Sequence, residues 1–216
     1  MEDTGWRRNK YGGWFNINEV MNNKIRNVKD YSDNEEMFEK ENQNILYKNQ
    51  TFTDQQKDVI KEYTSEDGYG SNNVVNKYLN GEKQLSESAQ EIVDKKIQTL
   101  DSCINQTLNN NIYVYRGINI RPKDLIEGQI IENKGFTSTS LYRSDASNFS
   151  VAGGATIKLK VNKGEKVLYI GKNTSAKHNE HELLFNRNKS IKIVKIEKLF
   201  DQDGDFMNYE IQGELI

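Results

Sequence analysis

The chain has 216 residues, of which 35% are hydrophobic and 29% charged, with a formal net charge of -2. That length suits one sizeable domain with or without an appendage, and 11 Tyr with 8 Phe supply apolar area for a core, which excludes global disorder. The near-neutral balance argues against a generic nucleic-acid surface, the single Cys103 excludes a disulfide framework or a cysteine-built zinc site, and no apolar run approaches the ~20 residues that cross a bilayer.

Residues 1–50 are rich in Asn, Lys, Glu and Asp and read as an N-terminal arm or linker whose scattered aromatics dock on the main body. Within it Ile17, Val20, Met21 and Ile25 suit a short helix, and the opening "MEDTGWRRNKYGGWF" lacks the apolar segment of a signal peptide. The chain is expected to be soluble, with residues 51–216 as its core domain. Val59, Ile60 and Tyr63 mark one helical stripe, and Val74, Val75, Tyr78 and Leu79 a second, with the turn signal "EDGYGSNN" between them. Leu85, Ala89, Ile92, Val93, Leu100, Ile104 and Leu108 extend the helical pattern, and Ser88 with Glu91 has capping-box spacing. From residue 112 the period changes to two: "IYVYR", "GFTSTS", "ATIKLKV", "KVLYI", "EHELLF", "IKIVKI" and "MNYEIQGEL" predict short strands. Helices followed by strands predict an α+β fold with mostly antiparallel sheets. "FDQDGDF" reads as a hairpin turn at Asp203-Gly204, because counting from Asp201 an EF-hand would need Gly at Phe206 and Glu at Gln212.

Four features in the strand half bear on chemistry. Arg116 ends a strand and precedes Gly117, which lets a ligand approach the backbone; alone, Arg116 reads equally as an edge-strand salt bridge. "GFTSTS" sets hydroxyls at consecutive strand positions, as an ordinary exposed strand also does. Phe149 sits in the small-residue stretch "SDASNFSVAGG", where a loop anchor is the default. Finally, "HNEHELLF" places Glu180 and Glu182 two apart where a strand enters a core. Alternation would aim both carboxylates at one face about 6.6 Å apart, where like charges repel and lose hydration unless something compensates them.

In order and spacing, an aromatic–Arg–Gly strand end, Ser138-Thr139-Ser140 and then Glu180-His181-Glu182 resemble the mono-ADP-ribosyltransferase toxins of the Arg–Ser–Glu class. The likeness is greatest to the arginine-modifying enzymatic components of actin-directed binary toxins, and it spans roughly residues 50–216. It implies an ADP-ribosyltransferase-like fold of helices followed by two packed, twisted sheets with an NAD cleft. It also implies transfer of ADP-ribose from NAD, a co-substrate, to an arginine of a target protein (actin among the candidates), with no metal and with release of nicotinamide. In that likeness Glu182 opposes the ribosyl cation and binds the ribose hydroxyl, Ser138 orients Glu182, and Arg116 holds the NAD phosphate. Gly117, Thr139, Phe149 and Tyr63 would complete the NAD contacts, with helix packing the alternative for Tyr63. Glu180 would receive the arginine guanidinium and its proton, and the loop "GKNTSAKHN", including Lys177 and His178, would recognise the target.

The chain departs from that pattern in two places. The recognition loop lacks an aromatic residue, and Ala152 stands where relatives place an extra phosphate-binding arginine, for which Arg143 is the substitute or merely a solvated charge. His178 and His181 do not complete a zinc site, and alternation puts His181 opposite Glu182. No phosphate-loop or Rossmann fingerprint is present. The resemblance implies secretion or delivery into a target cell. An NAD glycohydrolase and a catalytically inactive binding module of the same fold are the competing readings, and membrane and nucleic-acid partners are not expected.

Overall fold

Hydroxyl residues open the longer helices. A computed structural model describes residues 6–8, 14–16, 28–32, 34–65, 67–150, 154–170, 181–200 and 206–216. Its helices are α1 (Glu35–Glu41), α2 (Asp54–Tyr63), α3 (Asn72–Leu79), α4 (Glu87–Cys103) and α5 (Arg143–Ser147). Thr53 and Gln56 form a reciprocal capping box on α2, and Ser86 accepts from the Ala89 amide to cap α4. The box expected at Ser88 and Glu91 is therefore displaced, because Ser88 already lies inside α4. The helix also stops short of Leu108, whose amide bonds the Glu165 carbonyl instead. The short helix expected over Ile17–Ile25 and the turn at Asp203-Gly204 lie outside the described residues.

Every strand run expected after residue 112 is present. The strands are β1 (Trp6–Arg8), β2 (Trp14–Asn16), β3 (Val28–Lys29), β4 (Asn111–Ile118), β5 (Ile130–Ile131), β6 (Thr137–Ser140), β7 (Ala155–Val161), β8 (Val167–Tyr169), β9 (Glu182–Phe185), β10 (Ile191–Phe200) and β11 (Phe206–Leu215). β1 and β2 form a separate pair; the rest run in the order β5-β10-β11-β7-β4-β6-β9-β8, with β3 added parallel to β4. Only β7–β11 is otherwise parallel among the described pairs. The long wing β5-β10-β11-β7-β4 joins the short wing β6-β9-β8 through one residue pair, Tyr115 opposite Ser140, so the sheet divides there into two.

The apolar pattern explains this division. β7 alternates strictly, with Ala155, Ile157, Leu159 and Val161 buried. These side chains share a core with Ile112, Val114, Leu183, Phe185 and Tyr169, which fills the space between the wings. A second core packs Ile60, Tyr63, Val93, Ile97 and Leu100 of the helices on Leu168 and Leu184. The short wing is thus covered on both faces, and all four positions of β9 are buried, as its continuous "LLF" run requires. Residues 28–50 contribute Tyr31, Phe38, Ile45 and Leu46 to the core between the wings. Lys158 of β7 ties them down through Asp30 at 2.6 Å, and Lys29 with Glu41 braces the segment internally.

Candidate active site

The single-pair junction between the wings creates the site. Along β4, Ile112 and Val114 point into the core, and the same alternation carries Arg116 to the place where the wings part. Tyr113 and Tyr115 face the other way, beneath the Lys158 ammonium at 4.5 and 5.9 Å from their ring centres. Arg116 lines a cavity of about 420 Å³ together with Gly117, Ser138, Thr139, Phe149 and Glu182. That volume falls in the usual range for a small-molecule site.

Arg116 Nη1 donates to the Ser138 carbonyl at 2.5 Å. Burial pulls its pKa below the usual guanidinium value, and neighbouring Tyr63 and Glu182 offset that only in part. Guanidinium stays charged in such surroundings, and the fork retains further N–H donors that could meet phosphate oxygens. Behind Arg116, Tyr63 is 1% exposed and belongs to the helical core. Its hydroxyl receives the Asn76 amide at 3.1 Å and lies in hydrogen-bond reach of Ser138. Burial, reinforced by the Glu182 charge, raises the Tyr63 pKa and keeps the phenol protonated. Tyr63 therefore stands behind the cavity wall and is not among the residues that line it.

The other expected residues divide similarly. Thr139 spends its hydroxyl on the Leu183 carbonyl at 3.1 Å, which locks β6 to β9. Phe149 stands half exposed at the cavity rim. Gly117 is required by close packing: a Cβ there would sit 2.3 Å from the Ala146 carbonyl oxygen. Register sets Ser140 directly opposite Glu182, whereas Ser138 faces Leu184 and is the diagonal neighbour of Glu182, still within reach of a long side chain. Glu182 is a buried carboxylate at the start of β9, and its backbone carbonyl accepts from the Ile170 amide at 3.0 Å.

The strand begins at Glu182 rather than earlier, because His181 has a φ of 43°, in the left-handed region. The alternation that would set Glu180 and Glu182 on one face thus stops at His181. The His181 ring contacts Asp145 and Glu35 and is not among the residues that line the cavity. Glu180, Lys177, His178 and the rest of the expected recognition loop, like Ala152, lie outside the described residues. Arg143 bonds the Tyr209 carbonyl at 3.4 Å and lines a different cavity, beside Ser147 and Thr156.

Asn72, Asn76 and Tyr115 also line the cavity and were not anticipated. The spacing of the two asparagines, four apart on the polar side of an amphipathic helix, was the available signal. Among the described residues, no helix is long and apolar enough to cross a membrane.

Comparison with known proteins bears on the family and the fold. A family model described as ADP-ribosyltransferase exoenzyme matches residues 5–205. An NAD(+)–arginine ADP-ribosyltransferase of Enterococcus faecalis is 32% identical over 154 residues, which cover 68% of this chain and 30% of that protein; the chain thus matches under a third of that relative's length. Plx2a, an ADP-ribosyltransferase toxin from Paenibacillus larvae, superposes with a TM-score of 0.67 at 21% identity, covering 88% of this chain and 100% of that one. C3stau2 from S. aureus, solved with NAD, superposes with a TM-score of 0.63 at 20% identity, covering 88% and 99%. These two likenesses show the fold. With the family match spanning nearly the whole sequence, the chain belongs to the ADP-ribosyltransferase exoenzyme family.

Proposed function

We propose that the protein transfers ADP-ribose from NAD to an arginine side chain of a target protein and releases nicotinamide. One observation carries this reading: Arg116, Ser138 and Glu182 line a single cavity at the split between the wings, close enough for Glu182 to act on the Arg116 charge. The name of the Enterococcus faecalis relative supports arginine as acceptor, and the NAD in C3stau2 supports the co-substrate.

In this reading Arg116 pairs with the NAD diphosphate, and Phe149 covers the nicotinamide side. The bond from ribose carbon to nicotinamide nitrogen breaks with its electron pair leaving on nicotinamide. Positive charge then develops on the ribose, and the Glu182 carboxylate opposes it in a partly water-excluded site. A guanidino nitrogen attacks that carbon and forms the new carbon–nitrogen bond, and Glu180 takes the displaced proton. Tyr63 and Asn76 support the wall behind Ser138. No step requires a metal. Targets are proteins with an accessible arginine, with actin among those to assay, and family membership supports export from the producing cell.

The test supplies NAD with agmatine, a small guanidino acceptor, and separates transfer from hydrolysis by mass spectrometry of the products. Wild type is expected to form ADP-ribosyl-agmatine. Glu180→Gln is expected to lose that product while retaining most nicotinamide release; an equal fall in both would remove Glu180 from the acceptor step, and hydrolysis alone in wild type would make the protein a glycohydrolase.

A further inference from the structure

Tyr63 is a buried titratable side chain beside the cavity that has no chemical task in the reaction above. Its ring packs edge-on to Phe136, with ring centres 5.7 Å apart, and its hydroxyl reaches the boundary between the helical core and the site. A buried phenol has one hydrogen to give and lone pairs to fill, so the direction of each bond matters. A backbone amide fixes that direction here. The Phe136 N–H can only donate, and its partner at 2.9 Å is the Asn76 side chain, so the Asn76 atom facing it is Oδ1. The other end of that amide is Nδ2, a donor, and it meets the Tyr63 oxygen at 3.1 Å. The phenol oxygen accepts from Asn76, and its own hydrogen is left for another partner. Burial, reinforced by the Glu182 charge, keeps that hydrogen in place.

Among the described residues, Ser138 is the other hydrogen-bonding neighbour of the Tyr63 hydroxyl. In β6 it stands opposite Leu184, which belongs to the same helical core as Tyr63, so the Ser138 side chain lies on the sheet face that Tyr63 backs. Its backbone is fixed from the cavity, where Arg116 Nη1 donates to its carbonyl at 2.5 Å. A serine hydroxyl also has a single hydrogen. Once its oxygen receives the phenol hydrogen from behind, the serine hydrogen is free to face forward, where Glu182 is the diagonal neighbour across β6 and β9.

We propose that Tyr63 is a positioning residue: it donates to Ser138 and thereby aims the Ser138 hydroxyl at Glu182, holding that carboxylate where it opposes the ribosyl cation. The donors then run one way, from the Phe136 amide through Asn76, Tyr63 and Ser138 to Glu182, and in a site shielded from water each bond strengthens the next. The proposal deepens the reading given above and rests on the role of Glu182 in it. It makes a distinct kinetic statement. A residue that bound NAD directly would act on KM, and one needed only for folding would act whether or not the Ser138 hydroxyl were present.

The experiment measures nicotinamide release, as kcat and KM for NAD, in wild type, Tyr63→Phe, Ser138→Ala and the double variant, with thermal melting to set an assay temperature at which all four are folded. Phenylalanine keeps the ring against Phe136 and removes only the hydroxyl, and the Asn76 amide, which lines the cavity, is left to water. Tyr63→Phe is expected to lower kcat by roughly tenfold or more, with KM for NAD changing by less than about threefold. In the Ser138→Ala background the same replacement is expected to change kcat by less than about twofold, the non-additivity of residues that act as a unit. An unchanged kcat in Tyr63→Phe, a raised KM in place of a lowered kcat, or an equal loss with and without the Ser138 hydroxyl overturns the proposal and leaves the reading of the reaction intact. Wild type that releases no nicotinamide from NAD overturns both.

Discussion

Gly117 and Cys103 are single residues whose neighbours dictate what they can be. At Gly117 the Ala146 carbonyl occupies the space of a β-carbon, so Gly117→Ala must push α5 and the Phe149 segment away from the cavity. Overpacking of that kind costs about 1–3 kcal/mol. The variant is expected to melt earlier and to bind NAD more weakly, both measurable by calorimetry; unchanged binding would mean that this segment does not shape the NAD site. Cys103 is 2% exposed, and burial pushes its thiol up to about 11, so it is a packing residue of α4 with little thiolate at neutral pH. The sequence announced Arg116, Ser138 and Glu182 through residue type and spacing, and all three reach one cavity. It did not announce Glu35 or Asp145, because a carboxylate's partner is set by how distant elements pack. Nor did it announce the backbone of His181, since alternation assumes an extended strand that here begins one residue later.

Elements meet through a few polar side chains, and Asn76 of α3 is the clearest. Its Oδ1 accepts from the Phe136 amide at 2.9 Å, and its Nδ2 reaches Tyr63 of α2. Those bonds fix two helices against the start of the strand that carries Ser138. Gly135 leaves room for them, since a Cβ there would lie 2.5 Å from the Asn76 side-chain oxygen. Replacing Asn76 by Ala strands the Phe136 amide and removes the donor to the Tyr63 hydroxyl, at a cost of about 1–3 kcal/mol. The expected outcome is a lower melting temperature together with a raised KM for NAD, because Asn76 also lines the cavity. Lower stability with an unchanged KM would confine Asn76 to a structural part. The helices and strands themselves were legible from periodicity. Their ends were not: α4 is capped by Ser86 rather than Ser88, a difference of one half-turn that two candidate serines cannot resolve in sequence.

Across the whole molecule, residues 28–50 are bound to the sheet by charge as well as by burial. Burial works to raise the Asp30 pKa, but hydrogen bonds from Lys158 and Ser32 outweigh it and leave it below the usual carboxylate value. Burial lowers that of Lys158, and the Asp30 bond with the nearby Tyr115 leaves it above the usual lysine value. The carboxylate's contribution is therefore present above about pH 3.9 and lost as pH falls through the depressed folded value. The ammonium's contribution is present below about pH 10.4 and lost as pH rises through the elevated one. Lys158→Met is expected to cost up to about 1 kcal/mol between those limits, with the difference from wild type closing as pH falls through the depressed Asp30 value. Melting curves of both proteins from acid to neutral pH check this; a constant gap would assign the effect to lost packing on Tyr113 and Tyr115.

The account depends most on Glu182 as the carboxylate that opposes the ribosyl cation. The direct measurement pairs NAD binding by calorimetry with nicotinamide release for wild type and Glu182→Gln. The account predicts that the glutamine variant still binds NAD within about tenfold while nicotinamide release falls by about a hundredfold to a thousandfold. Release at the wild-type rate from the glutamine variant would contradict it.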